Sequence, residues 1–352
     1  MREISRRHVL CVVVYFLLGI EVSAADFFTT LNLPRVRDGQ MVCLLDSDTG
    51  DVIDSIPAMN ETVVFRSDSY KPSVVNVSVD GQGYGSFILS DAQITLDVKV
   101  EDIDGGVRWT WNACGGYNDS IDVFLQQVVT IQGKLEHAET NQAKDSIKHA
   151  IRTFLLNRIA HNADNVLGYK LFLMSEEILA LESVESLLDK YPALKDYKQV
   201  NKVVSKKRLL RDTQPANKFR DFTISYEGTR HKLSDVVGRG DYVLIDFWAY
   251  WCLPCRAEMP YIKDVFTRFK DRNFKVIGVA ISDNPGKDLE MSTKLELPWE
   301  IWVNGLDASK AYSVTSIPHL ILFAPDGTIL ERGIRGDNIL PVLARYLEEP
   351  DR

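Results

Sequence analysis

The chain has 352 residues, of which 45% are hydrophobic, and this is enough material for two or three domains with ordinary cores. Its formal net charge at pH 7 is −8, from 41 Lys and Arg against 49 Asp and Glu. Because phosphate binding needs clustered Lys and Arg, and the chain has no large basic block, these values argue against nucleic acid as a partner. Composition therefore predicts an acidic, multidomain globular protein.

Residues 1–25 have the pattern of a secretory signal peptide. Basic residues precede an apolar run at 9–20, and small residues follow at 22–25. The apolar run is shorter than the roughly 20 residues that a membrane-spanning helix needs. We therefore expect this segment to direct export and to be removed, with a membrane anchor as the alternative.

Residues 26–106 alternate between apolar and polar side chains with a period of two. Val75, Val77 and Val79 alternate with polar residues, and the same pattern returns at 94–100. This period is typical of strands with one face buried and one face in water. The segment is predicted to be a small antiparallel β-domain.

Residues 107–212 are predicted to be a mostly helical segment. The apolar residues recur at helical spacing over several stretches, as in the stripe Ile121, Phe124, Leu125, Val128 and Ile131. The period changes to that of a helix after the Gly- and Trp-containing passage "DGGVRWTWNACGGYND". This segment therefore separates the β-domain from the rest of the chain.

Residues 213–352 alternate between strand and helix patterns. "YVLIDFWA" and "FKVIGVAI" read as buried strands, 257–270 as a helix, "HLILFAPDGTIL" as a hairpin and 337–347 as a closing helix. This order predicts an α/β domain with helices on both faces of a sheet.

The stretch "DFWAYWCLPCRAEMP", residues 246–260, contains two cysteines with two residues between them. Such a pair can be a structural staple, half of a metal site or a redox centre. Where a strand runs directly into a helix, the first cysteine lies at the helix N-terminus, whose N–H groups and dipole stabilise a thiolate. We therefore expect Cys252 to be the acidic, exposed nucleophile, and Cys255 to be the more buried thiol that resolves a mixed disulfide.

A buried resolving thiol needs a base to accept its proton. Asp246 lies inside the apolar strand before the cysteines, and Glu258 lies three residues beyond Cys255. An unpaired carboxylate in a core loses solvation or takes up a proton, so a raised pKa would suit Asp246 to this role. The alternative for both acids is a structural carboxylate that local donors satisfy.

The same stretch resembles the active-site segment of thioredoxins, and its Arg-Ala-Glu-Met-Pro extension resembles the TlpA/ResA-type exported thiol-disulfide oxidoreductases. The resemblance covers about 214–348 and includes "SVTSIPHLILFAPDGTIL". It implies a thioredoxin-like C-terminal domain with a redox-active Cys252–Cys255 disulfide, so that no organic cofactor or metal is needed. It also implies that Asp246 and Glu258 handle protons.

The resemblance also implies a substrate-binding edge. Pro318 matches the family's cis-proline, Ile317-Pro318 is the edge that pairs with a substrate backbone, and Trp251 shields the disulfide. Two positions depart from the family pattern, since His319 follows the proline and Leu253 follows the first cysteine. Both lie at the substrate-facing rim.

The function that the resemblance implies is disulfide exchange with protein substrates, recycled by a membrane electron donor or acceptor. The implied location is the periplasm or outer cell envelope of a bacterium. One alternative is a partner-binding or scaffold protein of the cell envelope, in which residues 26–212 recognise a partner and the redox domain is secondary. Another is a thiol peroxidase, but that class needs Pro and Thr shortly before its reactive cysteine, whereas 247–251 read Phe-Trp-Ala-Tyr-Trp.

A zinc site is disfavoured by ligand count. Such a site takes four ligands, commonly two Cys-x-x-Cys pairs or Cys and His at short spacing. The chain has no second pair, and its six histidines show no ligand spacing. We therefore expect no metal.

Overall fold

The computed structural model describes residues 27–67, 72–90, 93–103 and 106–348. The predicted signal peptide, residues 1–25, lies outside these described residues. Within the described ranges, every helix is too short or too polar to cross a membrane. The chain divides into two compact units, residues 1–204 (unit 1) and 205–352 (unit 2), which are described separately.

The first part of unit 1 that the structure describes contains eight strands in two four-stranded sheets. The strands are β1 Phe27–Asn32, β2 Met41–Asp46, β3 Val52–Pro57, β4 Thr62–Ser67, β5 Ser73–Val79, β6 Gln82–Leu89, β7 Ile94–Ile103 and β8 Gly106–Cys114. One sheet has the order β4-β1-β7-β8 and the other the order β3-β2-β5-β6. Alternate residues of both sheets share one apolar core, for example Leu31 and Phe65 from the first sheet and Leu44 and Val77 from the second. The period of two thus builds a β-sandwich.

The strand pairing is antiparallel as predicted, except at one pair. β1 runs parallel to β7, with Leu31 beside Leu96, while β4 pairs with β1 on its other side in the antiparallel direction. Alternation within a strand predicts which face is buried, but it does not specify the neighbouring strand. The parallel pair is therefore a correction that only the tertiary structure supplies.

The helices of unit 1 follow the sandwich. They are α1 Tyr117–Glu136, α2 Asn141–His161, α3 Val166–Ser175, α4 Leu181–Lys190 and α5 Lys198–Asp212, the last of which crosses the boundary between the units, with a 3₁₀ helix at Pro192–Asp196. Val74 of β5 and Ile88 of β6 belong to the apolar cluster of these helices. Part of the outer face of the β3-β2-β5-β6 sheet is therefore covered by helices, where the sequence pattern predicts water.

The boundary predicted at residue 106 differs from the arrangement in unit 1. β8 pairs with β7 over its whole length, from Gly106 opposite Ile103 to Cys114 opposite Thr95. The helical part therefore begins only at Tyr117, and it shares a compact unit with the sandwich. The physical reason is that β8 completes a sheet whose partner strand lies before the predicted boundary.

Unit 2 contains the predicted alternation of strands and helices. Its elements are β9 Thr223–Tyr226, β10 Thr229–Lys232, β11 Tyr242–Trp248, α6 Leu253–Phe269, β12 Phe274–Ala280, α7 Pro285–Lys294, β13 Glu300–Trp302, α8 Leu306–Ala311, β14 His319–Phe323, β15 Ile329–Ile334 and α9 Ile339–Leu347, with 3₁₀ helices at Leu233–Asp235 and Gly336–Asn338. The main sheet has the order β13-β12-β11-β14-β15, and β9 and β10 form a separate hairpin. β11, β12 and β13 are parallel, while β14 and β15 are antiparallel to their neighbours.

The main sheet of unit 2 has an apolar core on each face. On one face Leu244 and Trp248 of β11 pack with residues of α6 and α9. On the other face Ile245 and Phe247 pack with residues of the β9-β10 hairpin and α8. The predicted α/β domain with helices on both faces is confirmed. Because side chains alternate along a strand, Asp246 lies on the face that carries α6.

Candidate active site

The central strand β11 ends where the cysteine pair begins. Its residues 243–248 are all buried, and the chain then turns through 249–251 into α6. Cys252 is the N-cap of that helix, with Pro254 in the first turn, where a proline's missing N–H is not needed. The Sγ of Cys252 accepts a hydrogen bond from the backbone N–H of Cys255, with 3.1 Å between the heavy atoms. The first sulfur of the pair thus lies at the positive end of a helix.

Cys252 and Cys255 form a disulfide. The S–S distance is 2.04 Å and the two Cα atoms are 5.3 Å apart. Cys255 is fully buried, as predicted, but Cys252 is only 4% exposed, which differs from the exposed nucleophile expected from the sequence. The reason is that Cys252 packs into the same apolar cluster as Trp248 and Cys255.

Two apolar side chains beside the disulfide are exposed. Trp251 is 58% exposed and Leu253 is 66% exposed, and they flank Cys252 in the chain. Trp251 is thus an exposed chain neighbour of Cys252, and its shielding of the disulfide stays a prediction.

Asp246 is a fully buried carboxyl group on the α6 face of β11. Among the described residues, neither of its oxygens has a hydrogen-bond partner, so local donors do not satisfy it. Burial and, after it, the negative charge of Glu258 raise the pKa of Asp246 to about 7, against the opposing positive charge of Arg335. Asp246 can therefore take up and release a proton near neutral pH.

Glu258 lies one turn into α6 and is half-buried. Its Oε2 accepts a hydrogen bond from the backbone N–H of Gly336, at 2.8 Å. Gly336 begins the 3₁₀ helix that leads into α9. Glu258 therefore has a local donor, as the structural alternative expects, and its charge also acts on Asp246.

The peptide bond between Ile317 and Pro318 is cis. β14 begins directly after it, and His319 pairs with Phe247, so Pro318 lies beside the end of β11 where the cysteine turn starts. Ile317 is half-buried and Pro318 is buried. The structure thus brings Ile317 and Pro318 to the same end of the sheet as the disulfide.

Sequence reasoning missed a second buried acid near the disulfide. Asp288 of α7 is fully buried, and its Oδ1 accepts a hydrogen bond from the backbone N–H of Tyr250, two residues before Cys252. In the sequence, Asp288 resembles an ordinary acid in the first turn of a helix, which carries no signal of a contact 38 residues away. The missed residue is therefore one whose contact is purely tertiary.

A metal centre finds no support among the residues that the structure describes. In that part of the chain, no three His, Cys, Asp or Glu side chains come together in a group that could hold a metal ion.

Comparison with known proteins identifies the family. The thiol-disulfide oxidoreductase ResA of Bacillus thuringiensis subsp. konkukian is 30% identical over 125 residues, which are 35% of this chain and 70% of that protein. This chain belongs to the ResA family of thiol-disulfide oxidoreductases. The ResA protein of Oceanobacillus iheyensis is 28% identical over 143 residues, which are 39% of this chain and 71% of that protein. The predicted resemblance and the predicted class of enzyme are both confirmed.

Two further findings concern the ResA-like part of the chain. The model of the AhpC/TSA family matches residues 215–332. The thioredoxin domain of a thiol-disulfide oxidoreductase from Bacteroides vulgatus is 27% identical, with a TM-score of 0.35, and the match covers 38% of this chain and 98% of that domain. The family-model match lies in the C-terminal part of this ResA-family chain.

Proposed function

We propose that this ResA-family chain is an exported enzyme that exchanges disulfides with protein substrates through Cys252 and Cys255. The observation that carries the proposal is the position of the disulfide at the start of α6. There the sulfur of Cys252 accepts a hydrogen bond from the backbone N–H of Cys255, and the neighbouring residues in the chain, Trp251 and Leu253, have exposed side chains. A helix N-terminus favours a thiolate, which is the reactive form of cysteine.

In the reducing direction, the Cys252 thiolate attacks one sulfur of a substrate disulfide. A mixed disulfide forms, and the other substrate sulfur leaves as a thiolate that takes a proton from water. The Cys255 thiolate then attacks the Sγ of Cys252, which restores the Cys252–Cys255 disulfide and releases the second substrate thiol. Two electrons pass from the cysteine pair to the substrate, and the reverse sequence oxidises a substrate dithiol.

Asp246 is the proposed proton acceptor for Cys255. Cys255 is fully buried and must lose its proton before it attacks. Asp246 belongs to the same face of the sheet, has no hydrogen-bond partner among the described residues, and has a pKa raised by burial to about 7. A carboxyl group with a pKa near the working pH is suited to proton transfer. Glu258 supports this role through the charge that raises the pKa of Asp246.

Ile317, Pro318 and Trp251 are the proposed substrate contacts. Ile317 and Pro318 lie beside the end of β11, and Trp251 is exposed next to the nucleophile. A substrate segment that lies along this edge would place its sulfur near Cys252. Proximity of this kind converts a bimolecular attack into an oriented one.

The location and recycling of the enzyme follow from the N-terminal segment and the chemistry. Residues 1–25 have the pattern of a signal peptide, and an exported compartment permits disulfides. After each reaction the pair must be returned to its starting redox state. A membrane electron donor or acceptor in the periplasm or outer cell envelope of a bacterium is the proposed partner.

The proposal is tested by trapping the mixed disulfide with Cys255→Ala. Without the resolving thiol, Cys252 should remain covalently bound to substrate proteins, which appear as adducts sensitive to dithiothreitol on a non-reducing gel. The control is the double variant Cys252→Ser/Cys255→Ala, which should form none. If the single variant forms no adduct with a disulfide-bonded substrate such as insulin, and the unaltered protein does not reduce it, the proposed function is wrong.

The direction of exchange follows from a redox titration of the pair in thiol buffers. A potential near about −270 mV, as in thioredoxin, would identify a reductant that needs an electron donor. A potential near about −120 mV, as in the strong oxidant DsbA, would identify an enzyme that introduces disulfides. Alkylation followed by mass measurement counts the reduced sulfurs at each buffer ratio.

A thiol peroxidase is the second candidate, favoured by the match of residues 215–332 to the AhpC/TSA family model. The residues directly before Cys252 do not include the Pro and Thr that this chemistry needs. Consumption of hydrogen peroxide by the reduced protein separates the two functions. A peroxide rate that matches or exceeds the rate of disulfide exchange would favour the peroxidase.

A further inference from the structure

Asp288 joins two segments that meet beside the disulfide. Its carboxylate is fully buried, and each of its oxygens accepts one hydrogen bond. Oδ1 accepts from the backbone N–H of Tyr250 at 2.9 Å, and Oδ2 accepts from the hydroxyl of Ser282 at 2.5 Å. One acid therefore connects the turn that carries the cysteines to the segment between β12 and α7.

The turn before Cys252 is held by a small number of backbone bonds. At its start, the carbonyl of Trp248 accepts from the N–H of Ile281 at 2.9 Å, and at its end the N–H of Cys252 donates to the carbonyl of Ala249 at 3.0 Å. Between these two bonds, the N–H of Tyr250 donates to the side chain of Asp288. The middle of the turn thus depends on an acid from another element.

Ser282 fixes the carboxylate from the other side. Its hydroxyl oxygen also accepts the backbone N–H of Asn284 at 3.1 Å, and the side chain of Asn284 caps α7 by accepting from the N–H of Lys287. In addition, the Nζ of Lys287 lies 5.3 Å from the ring centre of Tyr250. The acid is therefore oriented by the start of its own helix and directed at Tyr250.

An ordinary acid in the first turn of a helix behaves differently. Such an acid is exposed and stabilises the N–H groups of its own helix. Asp288 is buried, and it accepts its hydrogen bonds from the backbone N–H of Tyr250 and the hydroxyl of Ser282. Burial raises the pKa of Asp288, and the bonds from Ser282 and Tyr250 oppose that rise. The two oxygens of Asp288 therefore serve the turn at Tyr250 and the hydroxyl of Ser282.

We propose that Asp288 is a positioning residue that holds the turn at Tyr250, so that the sulfur of Cys252 stays at the N-terminus of α6. The inference rests on the proposed role of Cys252 as nucleophile. Asp288 acts through the backbone and does not contact the substrate. Without its hydrogen bond, the turn before Cys252 loses its central support, and the thiolate of Cys252 loses part of its stabilisation by the helix.

The test compares Asp288→Ala with Asp288→Asn. Both variants lack the charge, but the asparagine keeps an oxygen that can accept the N–H of Tyr250, so the comparison isolates the hydrogen bond. Relative to Asp288→Asn, we expect Asp288→Ala to exchange disulfides about tenfold more slowly, which is the effect of losing one bond of moderate strength. The pH midpoint for alkylation of reduced Cys252 should rise, and the reduction potential should become more negative by about 30 mV, the equivalent of tenfold.

Two further variants complete the experiment, one as a control and one as a substitute for Asp288→Ala. Asp283→Ala removes an exposed acid of the same segment and should leave rate, midpoint and potential unchanged. If Asp288→Ala does not fold, Ser282→Ala removes the hydrogen bond to Asp288, together with the one that Ser282 accepts from Asn284, and should change the same three quantities in the same direction by a smaller factor.

The outcomes separate this inference from the proposed function. If the unaltered protein exchanges disulfides while Asp288→Ala matches Asp288→Asn in rate, midpoint and potential, Asp288 has only a structural role and the inference is wrong. Where Asp288→Ala does not fold, a Ser282→Ala variant that matches the unaltered protein in all three quantities overturns the inference in the same way. An Asp288→Ala variant that melts at a lower temperature but keeps the rate, midpoint and potential of Asp288→Asn would also show that the role of Asp288 is only structural. If the unaltered protein itself shows no exchange, the proposed function has failed independently of Asp288.

Discussion

Replacing Asp246 with asparagine should make the stability of unit 2 less dependent on pH. Asp246 is fully buried, and neither of its oxygens has a partner among the described residues. Asparagine has nearly the same size and cannot ionise. Any pH-dependent difference between the two proteins therefore reports the free energy of placing a negative charge at this position.

The magnitude follows from the change in pKa on folding. The pKa of Asp246 rises from 3.8 to about 7, mainly because of burial. Below pH 3.8 the group is protonated in both states, and between these values the folded state holds a proton that the unfolded state has released. Stability therefore falls as pH rises through this window and is constant above it. The full loss is about 4 kcal/mol, at about 1.4 kcal/mol for each pKa unit.

The assay is urea unfolding of both proteins in the disulfide form at pH 5 and pH 8. Tryptophan fluorescence reports mainly on unit 2, which contains Trp248, Trp251, Trp299 and Trp302 out of six tryptophans in the chain. From pH 5 to pH 8, the unfolding free energy of the unaltered protein should fall by about 2.5 kcal/mol more than that of Asp246→Asn. This is less than the full loss because the unaltered protein has already lost part of this stability at pH 5.

A surface control checks that the effect belongs to burial. Asp271→Asn changes an exposed acid of unit 2 and should follow the unaltered protein at both pH values. If the curves for Asp246→Asn and the unaltered protein are parallel with pH, Asp246 does not carry a raised pKa. The role proposed for it as a proton acceptor near neutral pH would then be refuted.

Two further predictions concern other groups. Glu258→Gln keeps an oxygen for the N–H of Gly336 but removes the charge that raises the pKa of Asp246. In Glu258→Gln, the fall of the unfolding free energy with rising pH should therefore stop at a lower pH than in the unaltered protein. An unchanged pH profile would show that the charge of Glu258 does not act on Asp246. Gly115→Ala should destabilise unit 1 by about 3 kcal/mol or more in thermal unfolding, since φ at Gly115 is +101° and a Cβ atom there would lie 2.0 Å from the carbonyl oxygen of Gln93. A loss below about 1 kcal/mol would show that this backbone relaxes easily.

Much of the cysteine site is predictable because its signals are local. A buried strand that ends in two cysteines, followed by the period of a helix, is enough to place Cys252 at a helix N-terminus and Cys255 one turn inside it. The family resemblance adds the position of Pro318, whose cis bond the structure contains. Each of these features depends on residues that are close in the chain or on a motif.

Other features of the site depend on contacts between distant segments. The sequence identifies Asp246 as an acid within an apolar strand, but only the fold shows that no donor reaches it and that the charge of Glu258 acts on it. Likewise, the burial of Cys252 results from packing in a cluster assembled from several elements. Solvation of a side chain is decided by everything around it, and a single stretch of sequence does not contain that information.

By itself, the sequence determined the order of strands and helices in unit 2, the cysteine pair and its place at the start of a helix, because periodicity and motif spacing are properties of neighbouring residues. Tertiary structure alone decided that β1 runs parallel to β7, that helices cover Val74 and Ile88, and that Asp288 reaches the turn before Cys252. In each of these cases the partners are far apart in the chain. Their pairing is selected by the burial of whole faces and the satisfaction of buried polar groups, which only the complete fold can balance.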